Sequence, residues 1–228
     1  MLSAPIIRKA KRRVLLCAHW DSRPYADQDA DKTKHYSPIL GVNDGASGVG
    51  VLLEVARQLQ QQAPAIGIDI IFFDAEDYGI PYFYQGAYKN DTWCLGSQYW
   101  GRVPHVDGYN ARYGILLDMV GGKNATFYKE QFSQRTAGKY VKQDMEHSPP
   151  PGLRQLLPKE KGTEVTRRPY VCIQPAQIPC VDIINYDPNC DTGFGDFWHT
   201  IDDTMDIIDK GTLNAVGQTL LEVIYNEK

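Results

Sequence analysis

Four short apolar runs constrain the fold of this chain more than any other feature. They occupy residues 13–19, 66–73, 113–119 and 178–185. Runs of this length without polar alternation are typical of strands buried on both faces of a parallel sheet. Helices are favoured between and after them, at residues 49–62, 97–102, 132–146 and 207–225. Strands that alternate with helices predict an α/β fold, a three-layer α/β/α domain with a mixed, mainly parallel central sheet.

The composition narrows the partners that such a chain can have. With 228 residues, 43% of them hydrophobic, it can bury one core, and we expect a single domain over residues 1–228. The net charge of -4 provides no excess of positive charge for binding the phosphates of nucleic acid. No run approaches the roughly 20 apolar residues of a membrane helix, and the basic residues 8–13 precede an apolar stretch too short for a secretory signal.

Polar side chains recur where the predicted strands end or in the loops that follow them. They are His19, Asp21, Asp44, Glu76, Asp77, Asp118 and His199. Each has an ordinary interpretation: Asp44 as a turn residue, Glu76 and Asp77 as a solvated pair, His199 as a helix cap. Ligands of open α/β sheets, however, bind at the carboxyl ends of the strands. The coincidence of these residues at one sheet edge therefore predicts a functional site.

Imidazole and carboxylate groups in this number suit zinc. A catalytic zinc takes three protein ligands and keeps one position open, and two acids with one histidine satisfy that count. A neighbouring carboxylate that does not bind the metal is then available as a general base, and Glu76 is placed for this role. The polar stretch at residues 25–38, by contrast, predicts a surface loop.

Six motifs in fixed order carry a resemblance to a known family. They are His19-Trp-Asp21, Asn43-Asp-Gly-Ala-Ser-Gly48, Phe72-Phe-Asp-Ala-Glu-Asp77, Cys94-Leu-Gly-Ser97, Leu117-Asp-Met-Val-Gly-Gly122 and Trp198-His-Thr200. Together they resemble the zinc exopeptidase superfamily. Within it, the chain is most similar to the bacterial glutaminyl-peptide cyclotransferases, which are similar to the animal glutaminyl cyclases.

This resemblance implies a role for each matching position. Asp44, Asp77 and His199 match the zinc ligands, and Glu76 matches the general acid/base. Asp118 matches an acid that forms hydrogen bonds in the cyclases and binds metal in the peptidases, where His19 matches a ligand of the second metal. Trp198 matches an aromatic wall of the cyclase pocket, and Trp93 is a further candidate wall residue with a half-buried structural aromatic as its alternative.

Three features depart from the family pattern. Asp77 stands where most relatives have glutamate, which shortens the reach to the metal. Residues 166–170 read Thr-Arg-Arg-Pro-Tyr where the family carries Asp-Asp-His, within an atypical segment at 144–177. The chain also begins almost at its first core strand, whereas relatives have a helix and further strands upstream, so we expect such upstream elements to be absent.

The resemblance leaves three functions open. The leading hypothesis is a zinc-dependent glutaminyl-peptide cyclotransferase that converts the N-terminal glutamine of peptides to pyroglutamate and uses one zinc ion. The second is a zinc aminopeptidase with two zinc ions, the second bound by His19 and Asp118. The third is an inactive binding module on the same fold. Because bacterial relatives are exported, the resemblance also implies a periplasmic or cell-envelope location.

Overall fold

Four parallel strands form the central sheet of the computed structural model, which describes residues 11–87, 89, 92–128, 131–141 and 178–227. The strands are β1 (Arg13–His19), β2 (Gly67–Phe73), β3 (Tyr113–Asp118) and β4 (Cys180–Ile184). Their order is β2-β1-β3-β4, and each neighbouring pair is parallel. All four predicted strands are therefore confirmed, and among the described residues antiparallel pairing occurs only as isolated bridges.

Helices cover both faces of this sheet. They are α1 (Ala46–Gln61), α2 (Leu95–Arg102), α3 (Gln131–Val141) and α4 (Lys210–Asn226). On one face, Leu16 of β1 belongs to a core that includes Leu52 of α1 and Leu220 of α4. On the other face, Leu15 belongs to a second core with Trp100 of α2. Because successive strand residues point to opposite faces, this arrangement gives the three layers that the sequence predicts.

The helix ends differ from the prediction by a few residues because caps decide them. Helix α1 begins at Ala46 rather than 49, directly after Gly45, whose φ of 104° lies outside the range that side chains favour. Helix α4 begins at Lys210 rather than 207, because the Asp209 carboxylate accepts the Thr212 N–H at 2.7 Å and caps the first turn.

The ends of the strands align at one edge of the sheet. His19 pairs with Phe73, and Cys17 pairs with Leu116, so that His19 and Asp118 end their strands at the same level. The loops that follow β1, β2 and β3 consequently leave the sheet side by side. Among the described residues, no helix combines the length and apolar character that crossing a membrane requires. The atypical stretch at 166–170 lies outside the described residues.

Candidate metal centre and active site

Three of the predicted site residues converge on one point above the sheet edge. Asp44 directly precedes α1, Asp77 follows β2, and His199 lies in the loop before α4. Each offers a ligand atom, and these atoms all lie within 4.8 Å of one another. All three residues are buried. Two carboxylates and one imidazole, held close together by chain segments far apart in sequence, match the ligand set of a catalytic zinc site.

The carboxylate of Asp44 connects this group to a second one. Its Oδ2 lies 3.4 Å from Nε2 of His199, and its Oδ1 lies 3.1 Å from Nε2 of His19. Nε2 of His19 is also 3.5 Å from Oδ1 of Asp118. His19, Asp44 and Asp118 therefore form a further group of ligand atoms within 4.8 Å. The predicted second-metal candidates lie next to the first triad, with Asp44 shared between the two.

The residues fit a cation because several of their donor atoms are buried and unsatisfied. Within the part of the chain that the structure describes, no hydrogen-bond partner exists for Oδ2 of Asp44, Oδ2 of Asp77, Nε2 of His19 or Oδ1 of Asp118. Buried polar atoms without partners are rare in native proteins, since each costs free energy. Carboxylate oxygens and imidazole nitrogens in this state are suitable ligands for zinc.

The pKa values of several site residues are shifted because acidic groups are buried close together. Burial by itself lowers the pKa of His199, but Asp77 and Asp44 outweigh it and raise this pKa to about 9. Burial raises the pKa of Glu76 well above its usual value, and the charge of Asp77 adds to this effect. Burial likewise raises the pKa of Asp118. The acids are thus held together at an electrostatic cost that a bound cation would relieve.

The turn that carries Glu76 and Asp77 is held by Asp21, the polar residue two positions after β1. The Asp21 carboxylate accepts the N–H groups of Glu76 and Asp77, both at 3.0 Å. The turn needs this support because Ala75, directly before it, has a φ of 54°, a left-handed conformation that a side chain disfavours. The Asp21 side chain therefore determines where the predicted base and one predicted ligand lie.

A second support comes from the segment that leads into α2. The N–H groups of Cys94, Leu95 and Gly96 donate to the carbonyl oxygens of residues 76, 75 and 74, each at 2.9 Å. The thiol of Cys94 also donates to Oε1 of Glu76 at 3.1 Å. This contact orients the predicted base and occupies one of its two oxygens. The Cys-Leu-Gly-Ser motif was visible in the sequence, but nothing in it indicated a bond to Glu76.

The loop that carries Asp44 is held by a different acid. Asp203 is fully buried, and its carboxylate accepts the N–H groups of Asn43 and Asp44 at 2.7 and 3.0 Å. Burial raises the pKa of Asp203 to about 6. Sequence analysis missed this role, although the position of Asp203, four residues after His199, was a usable signal.

Both predicted aromatic wall residues lie against the imidazole of His199. The Trp198 ring stacks on it with centroids 3.8 Å apart, and the Trp93 ring is nearly parallel to it at 6.1 Å. Phe194 packs on Trp198 with a centroid distance of 5.0 Å. The two tryptophans therefore make an apolar surround for one predicted metal ligand, while their contact with substrate stays a prediction.

Comparison with known proteins agrees with this geometry. The family model described as Peptidase family M28 matches residues 3–224. This chain belongs to peptidase family M28. A Zn-dependent exopeptidase from Parabacteroides distasonis has 53% sequence identity and a TM-score of 0.93, over 99% of this chain and 77% of that one. The zinc requirement that we predict from the ligand set is thus supported, while the number of ions is a separate question.

Other relatives of this M28 chain are glutaminyl cyclases. The Bacteroides thetaiotaomicron glutaminyl cyclase bound to N-acetylhistamine has 55% identity and a TM-score of 0.92, over 99% of this chain and 77% of that one. A glutaminyl-peptide cyclotransferase of Bos taurus is 25% identical over 92% of this chain. The chain spans 61% of the length of that bovine relative. The predicted resemblance to the cyclases is confirmed.

One part of the predicted surface loop at residues 25–38 differs from the expectation for this M28 chain. Most of the stretch is an exposed or half-buried loop, as predicted. Its beginning is not, because the side chain of Asp27 is completely buried, Ala26 is buried beside it, and Arg23 just before the stretch is also fully buried. Charged residues are usually solvated, but here Arg23 and Asp27 neutralise each other with Nη2 and Oδ2 2.5 Å apart.

Proposed function

We propose that this protein is a zinc-dependent glutaminyl-peptide cyclotransferase, which converts the N-terminal glutamine of a peptide to pyroglutamate and releases ammonia. The observation that carries the proposal is the convergence of Asp44, Asp77 and His199 with Glu76 immediately beside them. The 55% identity to the Bacteroides thetaiotaomicron glutaminyl cyclase supports this reaction, which the fold alone would not decide.

Asp44, Asp77 and His199 would hold the metal, and Glu76 would move the proton. A zinc ion bound there supplies Lewis acidity toward the γ-amide carbonyl of the substrate glutamine. Glu76 takes a proton from the α-amine, whose nitrogen bonds to the carbonyl carbon of the side-chain amide. Glu76 then returns the proton to the amide nitrogen, which leaves as ammonia when its bond to that carbon breaks. Oε1 of Glu76 accepts the thiol hydrogen of Cys94, which helps to hold the carboxylate in one orientation.

Other residues of the site would orient the substrate and keep water out. Asp118 lies 3.5 Å from Nε2 of His19 and offers a second carboxylate for a hydrogen bond to the substrate. Trp198 and Trp93 provide apolar surface next to His199. Exclusion of water favours attack by the α-amine over hydrolysis of the same amide.

A zinc aminopeptidase is the second candidate function, and a specific observation favours it. His19, Asp44 and Asp118 form their own group of ligand atoms within 4.8 Å, with Asp44 shared with the first triad. A carboxylate that belongs to both groups can serve as a ligand to each of two neighbouring metal ions. In that case two zinc ions would be present per chain, and Glu76 would act as a base toward water rather than toward the α-amine.

Metal analysis and product analysis distinguish the two reactions. The purified protein is assayed for zinc by atomic absorption, for ammonia release from glutaminyl peptides, and for release of amino acids from other peptides. One zinc per chain with ammonia release supports the cyclotransferase. Two zinc ions with hydrolysis of N-terminal residues would replace it with the aminopeptidase. Stoichiometric zinc without either activity would indicate an inactive binding module.

The substitution Glu76→Gln tests the proposed base directly. We expect zinc content to be retained and turnover to fall by about 100-fold or more, the usual contribution of acid/base catalysis. Glu54→Gln serves as the control, because Glu54 is an exposed residue of α1 far from the site. An unchanged rate in the Glu76 variant would remove this residue from the mechanism.

A further inference from the structure

The imidazole of His199 has one nitrogen that faces away from the predicted metal ligands. Its Nε2 lies 3.2 Å from Oδ1 of Asp77 and 3.4 Å from Oδ2 of Asp44. Its Nδ1 is buried and has no hydrogen-bond partner among the described residues. A neutral imidazole that binds a metal through Nε2 keeps its proton on Nδ1. That buried N–H then needs an acceptor.

Asp27 carries an acceptor near this nitrogen, slightly beyond hydrogen-bond length. Its Oδ1 lies 3.7 Å from Nδ1 of His199, and its side chain is completely shielded from solvent. Oδ2 of Asp27 accepts the N–H of Tyr82 at 2.9 Å and a guanidinium N–H of Arg23 at 2.5 Å. Oδ1 accepts a single bond from Arg23, at 3.2 Å. Because a carboxylate oxygen can accept two hydrogen bonds, Oδ1 has capacity for the imidazole N–H.

Arg23 connects this acceptor to a second predicted ligand. Besides Asp27, its Nη1 donates to the carbonyl oxygens of Asp77 and Gly79 at 2.6 and 2.7 Å. Its guanidinium carbon lies 4.6 Å above the Trp93 ring, which is itself nearly parallel to the imidazole of His199. One buried cation thus holds the backbone of Asp77, the carboxylate behind His199 and the aromatic ring beside it.

We propose that Arg23 and Asp27 are positioning residues for the metal centre. Asp27 accepts the Nδ1–H of His199 and holds the ring so that Nε2 faces the cation, while Arg23 fixes Asp27 and the Asp77 turn relative to each other. Partners of this kind behind metal-binding histidines typically raise metal affinity by 10- to 100-fold. The proposal concerns the metal site and holds for either reaction considered above.

Zinc affinity of folded protein tests the proposal without depending on turnover. We expect Asp27→Asn to raise the zinc dissociation constant by about 10- to 100-fold in a chelator competition. The control is Asp29→Asn, a buried acid two residues further on whose Oδ1 accepts the N–H of Asp31, and its zinc affinity should be unchanged. Equal affinity in the Asp27 variant and the wild type would overturn the proposal, even if thermal unfolding shows that the variant is less stable.

A second measurement uses the wild-type protein, so its result does not depend on whether a variant folds. In zinc-loaded protein labelled with ¹⁵N-histidine, NMR should show a proton on Nδ1 of His199 that exchanges slowly with water, because it is bonded and buried. Arg23→Lys keeps the positive charge but loses the planar guanidinium that binds Asp27 through two nitrogens. It should therefore speed this exchange and also weaken zinc binding. A zinc-loaded wild type without a proton on Nδ1 would refute the role of Asp27, whatever reaction the enzyme catalyses.

Discussion

Removal of the Asp21 carboxylate should release the turn that carries Glu76 and Asp77. Two hydrogen bonds to this carboxylate, each 3.0 Å long, hold the turn, and bonds to a charged acceptor contribute about 1.5–3 kcal/mol each. They oppose the left-handed conformation of Ala75, which costs about 1–2 kcal/mol. With both bonds, the observed turn is favoured by at least about 1 kcal/mol. With neither, it is disfavoured by at most the full cost of Ala75, because the bonds from residues 94–96 and from Arg23 remain.

The expected losses follow from this balance. Asp21→Asn keeps one acceptor, so the two terms nearly cancel and activity should fall about twofold. Asp21→Ala keeps none, and a cost of 1–2 kcal/mol leaves only about one fifth to one thirtieth of the molecules with the turn in place. We therefore expect an activity loss of at most about 5- to 30-fold for the alanine variant.

The double variant Asp21→Ala with Ala75→Gly separates the turn from other effects of Asp21. Glycine adopts a φ of 54° without penalty, so the double variant should recover most of the lost activity. Activity is measured as ammonia release from a glutaminyl peptide at saturating zinc. Asp74→Asn is the control, because Asp74 is exposed and caps only its neighbour Ala75 within the described chain. Failure of glycine to restore activity would refute this account of the turn.

Two further pairs of substitutions test the packing beside the site and in the core below it. Gly96→Ala should lower the free energy of unfolding, measured in urea titrations, by at least about 1–3 kcal/mol. The reason is that the added Cβ would lie 2.3 Å from the carbonyl oxygen of Asp74. Gly50→Ala, on the open side of α1, is the control and should leave the free energy of unfolding unchanged or raise it. Leu52→Ala should lower the free energy of unfolding by about 2–5 kcal/mol, because Leu52 is fully buried. Leu53 is 57% exposed, and Leu53→Ala should change the free energy of unfolding by no more than about 0.5 kcal/mol. Equal effects within either pair would contradict the described packing.

The sequence by itself determined the strands, their parallel arrangement and the chemical types at the site. Uninterrupted apolar runs are typical of strands buried on both faces of a sheet, and helices between them suit the crossovers that parallel strands need. The carboxyl ends of such strands meet at one edge, so acids and histidines at strand exits had to lie near one another. For this reason the polar residues at the strand exits could be predicted as one group, and the resemblance to the zinc exopeptidases then selected Asp44, Asp77 and His199 as the ligands before any distance was known.

Only the tertiary structure decided what holds that group in place. Arg23 and Asp27 are polar residues in a loop, and nothing in their local sequence separates them from solvated neighbours. Asp21 was predicted to lie at the site, but its local sequence did not indicate the turn that it holds. The backbone groups that these side chains bind lie more than 50 residues away: the Asp21 carboxylate accepts the Glu76 N–H, and Arg23 donates to the Asp77 carbonyl. The burial of a charged side chain depends on such distant partners rather than on its own segment. The candidate ligands could therefore be chosen from the sequence and its family resemblance, whereas the residues that hold them in position could not.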